Sequence, residues 1–308
     1  MDIHTIQSRL KPFMMPLAIL LGVLFHSYID IVAWIVPYLI FVMLFITFCR
    51  IEPRDLKFHK EMWQLLAIQI LGSIIVFLLL NFINPTLARS ALVCVLCPVA
   101  TAAPVVTGML GGSIGRVASF SVLSNLSVAL CAPAIFALVS PDSQLSFLEE
   151  FATIALKVCP MIVFPLLAAF LIRILTPRVH ASLTKAAPIT FYIWSISLII
   201  VVGRSVSFIM AEPRSYWPVM TAMALTAGIL CAIMFAIGKS IGRRHGDAIP
   251  AGQSLDQKNT IMAIWMATTY LDGITSVAPA AYVLWQNMFN SLQLYRRMKQ
   301  EHCHNSNA

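Results

Sequence analysis

The stretches CPVATAAP, from Cys97 to Pro104, and PAGQSLDQKN, from Pro250 to Asn259, each interrupt a long apolar run, one in either half of the chain. Proline withdraws a backbone donor and blocks a regular helix, leaving amide and carbonyl groups that hydrocarbon cannot satisfy. Such groups are tolerated only where protein, ions or water meet them. A simple proline kink accounts for either break alone. Two breaks at matching positions, both in polar company, point instead to the binding site of a transporter. The second break also carries Asp256 and Lys258, and an ionisable residue at membrane depth is read as functional by default.

Composition sets the class around these breaks. With 59% hydrophobic and 11% charged residues and a mean hydropathy of +0.84, the chain is too apolar for a soluble fold. A bilayer core of about 30 Å needs about 20 helical residues per crossing. The apolar runs predict ten crossings, over 12–27, 31–49, 62–83, 87–110, 117–139, 150–175, 189–209, 217–238, 249–272 and 276–295. Arg9 and Lys11 precede the first run without a small-residue cleavage site after it, so a retained first helix is expected rather than a signal peptide. Placing the amino terminus inside gathers most of the 21 Lys and Arg, among them Arg50, Arg54, Arg116, Arg173, Arg243 and Arg244, on the cytoplasmic side. Both termini are then cytoplasmic, in a cell membrane that is expected to be a bacterial inner membrane. The net charge of +8 follows from topology and implies the lipid surface as partner, not nucleic acid. The seven cysteines are scattered, six of them in or beside apolar stretches where a thiol acts as a small hydrophobe, and suggest no disulfide or metal framework.

Ten crossings divide into five and five, at a short outer connection from Ser140 to Ser146. A longer hydrophilic connection, Thr176 to Pro188, follows the sixth crossing. An odd number per half forces opposite orientations, the condition for an inverted repeat spanning 1–139 and 140–308. In each half the fourth segment is the broken one. No HExxH or GxSxG motif occurs and the histidines lie mostly in loops and tails, so an enzyme is not expected. A channel or a non-transporting scaffold stays open as the alternative, since broken helices also line pores.

CPVATAAPVVTGML followed by SVLSNLSVALCAP, then DQKNTIMAIWMA and VLWQNMFNSLQL, resemble in order and spacing the fourth, fifth, ninth and tenth helices of the bile acid:sodium symporter family. The resemblance covers essentially the whole chain. It implies an all-α membrane protein with a panel domain (helices 1, 2, 6 and 7), a core domain (helices 3–5 and 8–10), and crossed discontinuous helices 4 and 9. It implies alternating access that carries a small organic anion, usually with sodium. By motif, Thr101 and Asn259 match the family's crossover threonine and asparagine, and Asn287 matches its tenth-helix asparagine. Free amides at the half-helix starts near Pro104, Val105 and Thr260 suit a carboxylate or sulfonate.

The departures bear on coupling. Ala103 and Pro104 stand where the family has a Ser-Asn pair among its sodium ligands, whereas Ser121 and Asn125 retain oxygen-bearing side chains at ligand positions. Aligning the ninth-helix asparagines without a gap places Ser254 on the family's ligand glutamate and Lys258 on its ligand glutamine. An ammonium is incompatible with an occupied sodium site, so at least one sodium site is expected to be absent. A gapped alignment puts Gln253 and Gln257 on those positions, and sodium as the coupling ion stays open. Lys258 either replaces a coupling cation, paired with Asp256, Ser121, Asn125 or free carbonyls, or snorkels to the surface while Asp256 caps the following half-helix. The first reading predicts a sodium-independent or proton-coupled carrier. No cofactor is expected. The substrate and the oligomeric state are not legible in the sequence. Asp272 is read as a helix-ending turn with a gate as the rival, and Arg204 as a snorkelling residue with an outer vestibule as the rival.

Overall fold

The computed structural model describes residues 16–51, 56–140, 146–185 and 189–305. Arg9, Lys11, Arg54 and the start of the first expected crossing lie outside them. The described residues are nearly all helical, and five helices are long and apolar enough to cross a membrane: Lys60–Asn81, Ile114–Val139, Phe147–Leu175, Tyr192–Ala211 and Arg214–Arg244.

Helix α1 covers 16–24, and two short 3-10 turns, His26–Ile31 and Ala33–Ile35, lead to α2, Val36–Cys49. The second expected crossing thus becomes α-helical only at Val36. Pro37 sits in the first turn of α2, where its missing N–H costs nothing. Helix α3 is Lys60–Asn81 and α4 is Pro85–Leu96. Asn84 caps α4 by accepting the Leu87 amide at 2.9 Å, with Pro85 as the first helical residue. Helix α5, Ala103–Met109, turns into α6, Ile114–Val139, through Gly111 at φ +77°, a conformation that suits glycine. Helix α7, Phe147–Leu175, opens with a capping box in which Ser146 and Glu149 satisfy each other's backbone amides.

The hydrophilic connection expected from Thr176 to Pro188 contains a helix, α8, Pro177–Lys185. Proline is well placed as its first residue, and none of its side chains is buried. Helix α9 is Ile189–Ala211, α10 is Trp217–Arg244, α11 is Ala248–Asp256, α12 is Thr260–Tyr270 and α13 is Val277–Asn305.

The two interruptions differ from expectation in one respect. The first is as broad as its prolines suggest: α4 ends at Leu96 and α5 begins at Ala103. Cys97, which precedes Pro98, is driven out of the helical region to ψ 140°. The second is only three residues long, Gln257 to Asn259, because Ala248 to Asp256 is helical through Pro250 and Gly252. Pro250 falls in the first turn of α11, where a proline has no helical bond to break. Two apolar clusters fill the interior. One is built chiefly from α2, α6, α7, α9 and α12, the other from α3, α4, α10, α11 and α13.

Candidate functional site

The two breaks meet and satisfy each other. Val99 and Lys258 form an antiparallel bridge, the one β-type pairing among the described residues. Ala100 donates its amide to the Gln257 carbonyl at 2.8 Å, and Asn259 donates to the Pro98 carbonyl at 2.8 Å. The Cys97 thiol donates to the Asn259 carbonyl at 3.0 Å. Backbone groups that would be orphaned in either helix alone are thereby paired, which is what a low-dielectric interior demands.

Side chains complete the scaffold from three directions. Gln69 on α3, fully buried, donates through Nε2 to the carbonyls of Leu96 at 2.8 Å and Cys97 at 3.0 Å. Its Oε1 accepts from the Ser124 hydroxyl of α6 at 2.9 Å. From α13, Gln286 accepts the Lys258 amide at 3.1 Å, Tyr282 donates its hydroxyl to the Asp256 carbonyl at 3.1 Å, and Asn290 accepts from Gln253 Nε2 at 3.1 Å. Tyr282, Gln286 and Asn290 are spaced four apart, so one face of α13 follows α11 and its break.

Lys258 is buried, with 1% of its surface exposed. Its ammonium donates to the Val95 carbonyl in the last turn of α4 at 2.8 Å. Snorkelling to the surface is therefore ruled out, and of the expected partners it is a free carbonyl that holds the charge. Asp256 is equally buried; its Oδ1 accepts from the Cys231 thiol at 2.9 Å and from the Tyr282 hydroxyl at 3.3 Å. Asp256 does not cap α12. That role belongs to Asn259, whose Oδ1 accepts the Met262 amide at 3.3 Å. Among the described residues Asp256 and Lys258 form no ion pair, although they are close enough to act on each other through space.

The other expected site residues divide. Gln253, Ser254, Gln257, Asn259 and Thr260 are all buried about the second break. Gln253 Oε1, Asp256 Oδ2, Gln257 Nε2 and Asn259 Nδ2 are buried without a protein partner, a concentration that calls for water, an ion or a ligand. Ser121 and Asn125 are buried on α6, where Asn125 Nδ2 donates to the Ser121 carbonyl at 2.8 Å and its Oδ1 is unpartnered. They do not bond Lys258. Thr101 and Pro104 are half-buried and Val105 is 45% exposed, so the start of α5 is open on one side. Asn287 is not joined to the breaks: it donates to Val283 on its own helix at 2.7 Å, and its neighbour Gln286 makes the contact instead.

Sequence reading missed Gln69, Ser124, Cys231, Tyr282, Gln286 and Asn290. The spacing of the last three and the lone glutamine in AIQILGS were the available signals.

Two ion-pair clusters lie outside this centre. Arg89 of α4 pairs with Asp272 at 3.0 Å, and Asp272 caps the 3-10 turn Gly273–Ser276, in keeping with the helix-ending turn expected there. Arg116 of α6 bridges Glu61 of α3 and Asp247 ahead of α11, the latter at 2.8 Å. Burial raises the Asp247 carboxyl above its ordinary range against the opposing pull of Arg116. Arg204 lies 5.8 Å from the centre of the Phe208 ring. No family model matches the chain, and no curated protein matches it.

Proposed function

We propose that the chain is a secondary active transporter of a small organic anion, working by alternating access, in which the fixed ammonium of Lys258 takes over work otherwise done by a coupling cation. The observation that carries this reading is the joined pair of helix breaks around a buried lysine. Broken helices with free backbone and orphaned polar side chains mark substrate sites in transporters, and a buried cation beside them favours an anionic cargo.

In this reading the chain forms ten crossings in a five-plus-five inverted repeat, with both termini cytoplasmic. Segments α4–α5 and α11–α12 are the crossed discontinuous helices. The panel is made of α1, α2, α7 and α9, and the rest form the core that moves against it. Thr101, Asn259 and Thr260 line the anion site; Asn287, tied to its own helix, is replaced in it by Gln286. Sodium is dispensable because an ammonium already occupies the crossover.

The test uses purified protein in proteoliposomes. Counterflow of labelled small carboxylates and sulfonates distinguishes a carrier from a channel or scaffold, and sodium, lithium and choline are compared. Counterflow that persists in choline is expected. Absence of counterflow with every anion refutes the carrier, and strict dependence on sodium refutes the role given to Lys258.

A further inference from the structure

A basic cavity lies away from the breaks, where α2, α7 and α8 come together. Arg50, Arg173, Pro177, His180, Ala181 and Thr184 line an open recess of about 520 Å³, and no carboxylate among the described residues lines it. Arg50 directly follows α2 and is exposed; among the described residues its side chain forms no bond. Arg173, in the last turn of α7, donates one Nη1 bond to the Ile51 carbonyl at 2.9 Å, and His180 Nε2 bonds the Cys49 carbonyl at 2.9 Å. These bonds use carbonyls at the end of α2 that lack helical partners. They fix the Arg173 and His180 side chains in place while occupying one of the five N–H groups of Arg173. The Thr184 hydroxyl donates to Ala181 at 2.9 Å and keeps its lone pairs free to accept.

Depth in the membrane narrows the ligand. Helix α7 has 29 residues, about 43 Å at 1.5 Å per residue, which exceeds a hydrocarbon core of about 30 Å. Its exposed apolar side chains Phe170, Leu171, Ile174 and Leu175 stop just short of Thr176. The cavity therefore begins where hydrocarbon gives way to headgroups. The opposite end of α7 is acidic, with Glu149 and Glu150 in its first turn, so positive charge is concentrated at the cavity end, where Arg178 and Lys185 of α8 add to it.

We propose that this cavity binds a phosphate-bearing anion at headgroup depth, the chemistry shared by an anionic phospholipid and free inorganic phosphate. Two guanidinium forks match phosphate oxygens, and anionic lipid is concentrated in the leaflet that attracts basic residues. The site is independent of transport.

The experiment takes the full chain, purified and delipidated in a zwitterionic detergent. Thermal unfolding and native mass spectrometry are read after addition of phosphatidylglycerol, phosphatidylcholine or inorganic phosphate. Phosphatidylglycerol is expected to stabilise and to be retained, and phosphatidylcholine to do neither. Arg50→Gln, at an exposed position, is expected to weaken binding about tenfold through loss of a charge-assisted contact. Arg244→Gln removes an equal charge from an exposed position outside the cavity and is expected to change nothing. Stabilisation by inorganic phosphate with the same sensitivity to Arg50→Gln supports the site and assigns it a soluble source. No stabilisation by either phosphate source, or equal losses in the two variants, overturns it.

Discussion

Replacing Lys258 by Met retains the length of the buried stem and removes only the ammonium. The change deletes the bond to the Val95 carbonyl and leaves the fully buried Asp256 carboxyl without a neighbouring cation. Stranding a buried acceptor costs about 1–3 kcal/mol, and more where a nearby buried charge loses its compensation as well, so a loss of about 3 kcal/mol is expected. For a chain of this size each kcal/mol moves the melting temperature by about 2 °C, so a fall of roughly 6 °C is expected. Adding Asp256→Asn removes the stranded charge yet keeps an Oδ1 acceptor for Cys231 and Tyr282. The double variant is expected to recover part of the loss, since a neutral amide no longer needs the nearby compensation that the ammonium supplied. Thermal unfolding of wild type, both singles and the double in one detergent, followed by tryptophan fluorescence, completes the cycle. Effects that add to within about 0.5 kcal/mol refute the coupling, as does a single Lys258→Met variant that melts higher than wild type.

Gln69→Leu strips the Leu96 and Cys97 carbonyls of their buried donor and is expected to cost about 2–4 kcal/mol; hydrogen exchange should accelerate across 97–102, and unchanged exchange there contradicts the scaffold role. Gly238→Ala would set a Cβ 2.6 Å from the Ala251 carbonyl oxygen, forcing α10 from α11 at a cost of about 1–3 kcal/mol. Gly72→Ala is its control: nothing lies within 3.8 Å of the new methyl, so a gain of about 0.5–1 kcal/mol is expected, and equal effects of the two would refute the close approach. Asp247 tests pH dependence. Its carboxyl is raised above 3.8 in the folded state, so the folded state holds the proton longer and the stability contributed by Asp247 falls as pH rises from 3.8 through the raised value. Melting temperatures of wild type and Asp247→Asn should therefore shift against wild type across that window; a shift in its favour reverses the sign and the reasoning.

Much of this arrangement was legible because the hydrocarbon environment imposes a strict rule on backbone groups. Pro98 had to end a helix at the residue before it, and α4 stops at Leu96. The second break was harder to place, because Pro250 and Gly252 look disruptive in a string of letters but both fall inside α11, Pro250 in its first turn. Burial of Lys258 could not be decided from its neighbours, since a flexible stem reaches either the surface or the interior. It is decided by distance to Val95, a residue 163 positions away. Gln286 was overlooked beside Asn287 for a similar reason: one position along a helix is a turn of 100°, and only the packing of α13 on the break selects which amide points inward.

The pairing of the two breaks constrains how anything near them can move. Four bonds join α4 and its following loop to the Gln257–Asn259 break: Ala100 to Gln257, Asn259 to Pro98, Cys97 to Asn259, and Lys258 to Val95. Three of these involve backbone groups on one or both sides that have no helical partner to return to. Separating α4 from α11 would expose several such groups to a dry interior at about 1–3 kcal/mol each. That cost exceeds the few kcal/mol that separate working conformations of a protein. The two breaks must therefore travel as one rigid body, and any opening and closing falls at the boundaries of that body rather than within it. The side chains whose atoms lack partners, Gln253, Asp256, Gln257 and Asn259, then keep their mutual geometry throughout, which is what recognition of a ligand requires.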